Sequence, residues 1–303
     1  MHRTQRVVAA LAVAVLASCG LAACAKSSRS TERTGPPSVV ASTDVWGSVA
    51  QAVAGDDARV TSIVTSGSAD PHSYEASPAN AAAIADASIV VFNGGGYDPW
   101  VQAVLDNHPD VPAVDAYALH DAAGEPQPAN EHVFYDVQTA KAVAGGLADR
   151  LSEADPANAT DYRSRAEEFG RRADAIRSAE QSLAAQYPGA AVVATEPVAH
   201  YLLQTAGLVD KTPSGFTSAI EQDTDPAPVD VAAVLDLITG RQVDVVIFND
   251  QTATEATRRV RAAAQDARVP VVGVTETLPA GTDYLTWQTD TVNRLATALR
   301  ESR

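Results

Sequence analysis

An alternation of short β-branched runs with alanine-rich stretches constrains the fold more than any other feature of the chain. It begins near Ser38 and is repeated in the second half. The predicted strands are residues 39–42, 60–64, 89–93, 111–115, 191–195, 243–249 and 269–275, with a weaker one near Lys211. The predicted helices are residues 45–54, 78–87, 98–106, 229–239, 254–267 and 284–300. This order is typical of βαβ units around parallel sheets, so we expect an α/β protein with two lobes.

A stretch without any strand pattern separates the two halves. It begins at Asp155, which fits an N-cap followed by Pro156 at the first helical position, and it ends at Pro188-Gly189. Its apolar residues recur every three or four positions, so they share one helical face. We therefore expect a single stiff helix, residues 155–187, to join an N-terminal lobe (38–154) to a C-terminal lobe (188–303).

The first 37 residues differ from the rest of the chain. Basic Arg3 and Arg6 precede an apolar run that is shorter than the roughly 20 residues that span a bilayer, which is typical of a signal peptide. Leu21-Ala22-Ala23-Cys24 resembles a bacterial lipobox. We therefore expect a signal peptide at 1–23, a lipidated Cys24 and a flexible tether at 24–37. Cys19 fits the same pattern, but Cys24 is favoured because the polar stretch begins directly after it.

Charge and cysteine content argue against a nucleic-acid-binding protein and against a fold held together by disulfides. The chain has 22 Lys and Arg against 38 Asp and Glu, a formal charge of −16, which argues against a nucleic-acid partner. Removing residues 1–23 deletes two Arg and no acidic residue, so the mature chain carries −18. Both cysteines lie within the first 24 residues, so no disulfide framework holds the folded part together.

Four side chains are candidate metal ligands because of their position relative to the predicted strands. Open α/β sheets bind ligands beyond the carboxyl ends of their strands. His72 follows the second predicted strand, His132 precedes a helix, and Glu196 and Glu276 each close a strand of the second half. Two imidazoles and two carboxylates suit Mn²⁺, Fe²⁺ or Zn²⁺ and exclude a soft thiolate site. Spacing alone leaves open that each histidine is an ordinary surface or core residue.

The sequence around these four residues resembles the zinc and manganese solute-binding lipoproteins of ABC importers, the cluster A-I family, along nearly the whole mature chain. The matching segments are Asp70-Pro71-His72-Ser73-Tyr74-Glu75, Glu131-His132-Val133-Phe134-Tyr135-Asp136, Thr195-Glu196-Pro197-Val198 and Val274-Thr275-Glu276-Thr277. The resemblance implies two lobes bridged by a backbone helix, with one metal held in the cleft by these four residues. It also implies a monomeric binding protein without enzymatic activity, anchored to the outer face of the cell membrane. Such a protein delivers Zn²⁺ or Mn²⁺ to a permease that is driven by an ATPase.

The chain departs from the family pattern at three points. Glu196 stands where many zinc-binding members have histidine, and Glu276 stands where aspartate is common. The segment 117–131 contains only His120, so the histidine-rich loop of some zinc members is missing. Because zinc outcompetes manganese at most nitrogen and oxygen sites, these ligand types leave Zn²⁺ and Mn²⁺ equally open, with Fe²⁺ as a further possibility.

Two other functions compete with this interpretation: a secreted metal-dependent hydrolase, and a metal-binding surface adhesin without a transport role. Catalytic zinc usually keeps a position for water, whereas four protein ligands fill the shell here, and the chain has neither an HExxH nor a Gly-x-Ser-x-Gly motif.

Several polar residues have a predicted role near the ligands or away from them. His200 is expected in the second shell or at the surface, and His108 and His120 in solvent. Tyr74 and Asp136 either orient ligands or cap turns and helices, and Asp70 has the same two interpretations. Gly94-Gly95-Gly96 predicts a turn or a close backbone approach.

Overall fold

The computed structural model describes residues 35–65, 74–121, 130–222 and 224–303. It contains two four-stranded parallel sheets. The predicted residues Cys19, Cys24, Asp70 and His72 lie outside these ranges. The strands are β1 (Ser38–Thr43), β2 (Arg59–Val64), β3 (Ile89–Phe92), β4 (Ala113–Asp115), β5 (Ala191–Ala194), β6 (Val209–Asp210), β7 (Val245–Asn249) and β8 (Val271–Val274). The strand orders are β2-β1-β3-β4 and β6-β5-β7-β8, so the predicted pair of parallel α/β lobes is confirmed.

Helices cover both faces of each sheet, as parallel sheets require. They are α1 (Asp44–Ala54), α2 (Pro78–Ala85), α3 (Pro99–Leu105), α4 (Ala116–Asp121), α5 (Val137–Ala154), α6 (Ala159–Gln186), α7 (His200–Thr205), α8 (Ser214–Glu221), α9 (Pro228–Thr239), α10 (Glu255–Ala267) and α11 (Tyr284–Glu301). The short helices α4, α7 and α8 were not predicted. None of the helices in the described ranges is both long enough and apolar enough to cross a membrane.

The long helix α6 joins the two halves of the chain. Its 28 residues correspond to about 42 Å, and the predicted apolar face is buried, including Tyr162, Phe169 and Leu183. The helix begins later than predicted, because Pro156–Asn158 forms a separate 3₁₀ turn. Buried residues from both sheets, among them Val39 and Val192, belong to one continuous apolar cluster along this helix.

Hydrogen bonds at the start of α11 also connect the second half to the first. The backbone N–H of Tyr284 donates to Ser48 Oγ at 2.9 Å, and its hydroxyl donates to the carbonyl of Phe134 at 2.8 Å. The N–H of Leu278 donates to Asp44 Oδ1 at 3.1 Å. Together with the shared core, these bonds hold the two lobes in one fixed arrangement.

A buried polar cluster lies between α4, α5 and α6. His120 is only 3% exposed, so its predicted solvation is wrong: Nδ1 lies 2.8 Å from Thr139 Oγ1 and 3.2 Å from Asp136 Oδ2. Asp136 also accepts from the N–H groups of Gln138 and Thr139. It therefore caps α5, which is one of the two roles predicted for it. Glu180 of α6 is 2% exposed, and its Oε1 has no hydrogen-bond partner in the described ranges. Burial, helped by the negative charge of Asp136, raises the pKa of Glu180 to about 8.

Glu180→Gln should therefore stabilise the protein at alkaline pH. The carboxyl has a pKa near 4.5 when unfolded and about 8 when folded, so the folded state loses stability as the pH rises from about 4.5 to 8. We expect the variant to exceed the wild type by roughly 1 to 3 kcal/mol at pH 8.5 and to match it near pH 4.5. Urea unfolding at the two pH values measures this. Glu167→Gln, on an exposed position of the same helix, is the control, and a pH-independent difference for Glu180→Gln would contradict the assignment.

Candidate metal site

The carboxyl ends of three neighbouring strands place Glu196, Asn249 and Glu276 side by side. Asn249 is the last residue of β7, which lies between β5 and β8 in the second sheet. Glu196 follows β5 and Glu276 follows β8, and all three side chains are buried, at 7%, 1% and 1% exposure respectively. Parallel strands end at the same edge of a sheet, so the sheet itself brings these polar groups together.

The amide of Asn249 connects the two carboxylates. Its Nδ2 donates to Glu196 Oε2 at 2.7 Å and to Glu276 Oε1 at 2.8 Å. Thr252 Oγ1 donates to the other oxygen of Glu196, and the side-chain oxygen of Gln251 accepts from the backbone N–H of Glu276. These contacts fix the orientation of both carboxylates.

Burial sets the protonation behaviour of Glu196. Loss of hydration raises the pKa of its carboxyl, and the negative charge of Glu276 raises it further. Hydrogen bonds from Thr252 and Asn249 oppose the shift, as does the imidazole of His132. Two acidic groups this close and this buried favour a bound cation, because a cation stabilises their charged forms.

His132 reaches this pair from the first lobe. Asn130 Oδ1 accepts from both the backbone N–H and the ring Nδ1 of His132, at 2.8 and 2.9 Å, while its Nδ2 donates to the carbonyl of Pro197 at 3.1 Å. This pattern fixes the amide orientation, so Nδ1 carries a proton and Nε2 is the nitrogen that a metal would bind. Tyr201, whose hydroxyl donates to the carbonyl of Asn130 at 2.6 Å, holds the same loop.

Nε2 of His132 points toward the carboxylates. Nε2 lies 3.7 Å from Glu276 Oε2, which also accepts from the hydroxyl of Tyr97 at 3.3 Å. Metal–ligand bonds of about 2.0 to 2.2 Å allow two donors of one ion to be at most about 4.4 Å apart. The distance between Nε2 and Oε2 is therefore within the reach of one shared cation.

Two more carboxylates surround His132. Ligand atoms of Glu131, His132 and Glu221 all lie within 4.8 Å of one another, and Glu221 Oε1 is 3.8 Å from His132 Nε2. Glu221 is the last residue of α8, a helix that the sequence reading missed.

Three of the four predicted ligands therefore meet at the seam between the lobes: His132 and Glu276 approach directly, and Glu196 joins them through Asn249. The fourth, His72, lies outside the described residues and stays a prediction. His200 is exposed and its ring packs on Tyr201 at 5.1 Å, in agreement with a surface role. His108 is also exposed, as expected.

Sequence reasoning missed Asn249 and Tyr97 as well as Glu221. Asn249 closes a strand in the same way as Glu196 and Glu276, so the strand-end rule would have found it had amides been considered. Tyr97 follows Gly94, Gly95 and Gly96, whose φ angles are 74°, 64° and 91°, which confirms the predicted turn. Tyr74 donates to Asn80 Oδ1 at 3.0 Å at the start of α2.

A family model described as "ZnuA: Zinc-uptake complex component A periplasmic" matches residues 39–298. The manganese-binding lipoprotein MntA of Halalkalibacterium halodurans is 32% identical over 137 residues, which cover 43% of this chain and 44% of that protein. The metal ABC transporter substrate-binding lipoprotein ScbA of Streptococcus cristatus is 24% identical over 277 residues, 86% of each chain.

A solved structure has the same architecture. The periplasmic zinc-binding protein TroA of Treponema pallidum superposes with a TM-score of 0.74 at 18% sequence identity, over 88% of this chain and 99% of that one. At this identity the superposition establishes a shared fold.

Asn249→Asp should destabilise the metal-free protein. The substitution keeps the shape of the side chain but replaces the shared amide donor by a third buried carboxylate, so we expect a loss of about 2 to 4 kcal/mol. Chemical unfolding in the presence of a chelator measures it. Asn107→Asp, at an exposed position, should change stability by less than about 0.5 kcal/mol; equal effects of the two variants would remove the role given to the Asn249 amide.

Proposed function

The chain belongs to the ZnuA family, the periplasmic components of zinc-uptake complexes, and we propose that it captures a divalent transition metal, Zn²⁺ or Mn²⁺, and delivers it to a membrane permease for uptake. The observation that carries this proposal is the convergence of His132 from one lobe with Glu196 and Glu276 from the other. The metal is the transported substrate, so the site has to bind it and later release it.

We assign His72, His132, Glu196 and Glu276 as the ligands. For the last three, the support is their mutual approach, and for His72 it is the sequence motif Asp70-Pro71-His72-Ser73. The donor set fits a borderline cation: the imidazole of His132 presents Nε2, and the two carboxylates present oxygens. Bound metal would neutralise the two acidic groups that now share the amide of Asn249.

Binding and release follow from the position of the site. A cation at the seam attracts ligands from both lobes and so links them. Since the lobes share one core and α6, a large hinge motion is not expected. Release would instead require local displacement of a ligand loop, such as the segment around Asn130 and His132, when the protein docks on the permease.

We further propose that the mature chain is a monomer tethered to the outer face of the cell membrane. Lipidation at Cys24 would leave residues 24–37 as the tether, and the relatives MntA and ScbA, both named as lipoproteins, support this assignment. The permease is expected to work with an ATPase, because ScbA is named as part of an ABC transporter.

The two competing functions are not favoured. The family is one of uptake components rather than of enzymes, which argues against a metal-dependent hydrolase. The same membership argues against an adhesin without a transport role. Loss of metal accumulation in a strain that lacks this chain would separate transport from adhesion alone.

Metal binding should raise the thermal stability of the protein. Added Zn²⁺ or Mn²⁺ is expected to shift the unfolding temperature upward, by an amount that grows with the excess of metal over the dissociation constant. His72→Ala and Glu196→Ala should each lose most of this gain, whereas His108→Ala, at an exposed position, should keep it. Differential scanning calorimetry with and without metal measures the shift. Full retention of the gain in both ligand variants would show that the site assignment is wrong.

Lipidation at Cys24 gives a separate prediction. Mass spectrometry of the protein from membranes should find a mature N-terminus at Cys24 that carries acyl chains, and Cys24→Ser should release the protein into the soluble fraction. Cys19→Ser is the matched control and should leave the protein in the membrane fraction. Acylation at Cys19, or a different cleavage position, would refute the assignment.

A further inference from the structure

Glu221 is a carboxylate of the second lobe that none of the matching ligand segments contains. It closes α8, and its Oε1 lies 3.8 Å from Nε2 of His132, almost the same distance as Glu276 Oε2 at 3.7 Å. The side chain of His132 is 1% exposed and that of Glu221 is 22% exposed. Glu221 is therefore partly exposed, whereas the sheet-edge carboxylates of Glu276 and Glu196 are buried, at 1% and 7% exposure.

The ring of His132 offers one nitrogen to the carboxylates of Glu221 and Glu276. An imidazole whose Nδ1 donates to Asn130 has a single ligating nitrogen, so His132 serves one cation only. Each carboxylate oxygen lies within the reach of an ion bound at Nε2, given bonds of about 2.0 to 2.2 Å. Two cations that both used His132 would need a second donor nitrogen, which the ring does not have.

The fold holds Glu221 in this position. Phe216 and Ile220 of α8 are buried in the apolar cluster of the second lobe, at 0% and 5% exposure. Beyond the helix, the N–H and the hydroxyl of Thr224 both donate to the carbonyl of Ala219, at 2.8 and 3.0 Å. The core on one side and the following loop on the other thus hold the end of α8, and with it the backbone of Glu221.

The end of a helix is an unfavourable place for a negative charge. The C-terminus carries partial negative charge, so acidic side chains there are destabilising. The carboxylate of Glu221 lies at this end, close to Nε2 of His132 and to Glu131. It gains a favourable partner when a cation binds.

We propose that Glu221 is an additional metal ligand and that it shifts the selectivity of the site toward Mn²⁺. This inference rests on the proposed function. With Glu196 and Glu276, it brings the number of proposed carboxylate ligands to three, and it adds a fifth donor to the four ligands assigned above. Manganese favours carboxylate oxygens and higher coordination numbers, whereas zinc is satisfied by four ligands. Zn²⁺ retains the higher intrinsic affinity for the site, and Glu221 reduces the difference between the affinities for Zn²⁺ and Mn²⁺.

Competitive titration of the purified full chain with a chelating indicator tests this. Glu221→Gln keeps the size of the side chain and removes the charge, and we expect the dissociation constant for Mn²⁺ to rise about tenfold or more. The constant for Zn²⁺ should rise by less than roughly threefold. Glu255→Gln is the matched control, because Glu255 is 84% exposed on α10, and it should leave both constants unchanged. Thermal unfolding of the metal-free variants verifies that they are folded, and Glu221→Ala provides a second variant.

The outcomes distinguish this inference from the function on which it rests. If the wild type binds both metals and Glu221→Gln behaves like Glu255→Gln, Glu221 is not a ligand, while the proposed function is unaffected. If Glu221→Gln loses affinity equally for both ions, Glu221 does not shift the selectivity of the site toward Mn²⁺. If the wild type binds neither ion, the proposed function itself is wrong.

Discussion

The amide of Asn249 is the contact on which the candidate site depends. Two buried carboxylates at the edge of one sheet would repel each other and would each lose hydration. A single donor between Glu196 and Glu276, at 2.7 and 2.8 Å, lets both remain in place without a cation. The site is therefore preformed, and a metal that enters finds oriented oxygens rather than side chains that must first be ordered.

The same rigidity extends to the relation between the lobes. One apolar cluster runs along α6 through both of them, and the start of α11 donates hydrogen bonds into the first lobe. We therefore expect little closure of the lobes around the substrate. Selectivity then comes from which donors this frame presents, and for this reason the proposed ligand Glu221 matters as well as the ligands at the strand ends.

The fold was largely predictable because its signals are local and repeated. Runs such as 243–249 predicted buried parallel strands, and the apolar period of 155–187 predicted the long helix. The eight-residue helix α8 escaped prediction, and the role proposed for its last residue depends on partners that are distant in the sequence. His120 was expected in solvent because its neighbours in the sequence are polar, yet Asp136 and Thr139, brought in by α5, bury it.

The sequence by itself determined the class of fold, the order of the elements and the neighbouring positions of Glu196 and Glu276, because strand ends in a parallel sheet fall on one edge wherever the strands lie in the chain. Only the tertiary structure decided that His132 approaches them from the first lobe, that Asn249 joins the two carboxylates, that Asn130 holds the proton on Nδ1 of His132, and that Glu221 lies beside its Nε2. These contacts join residues that are far apart in the chain, or depend on side-chain orientation, and neither is encoded in a local pattern of hydrophobicity.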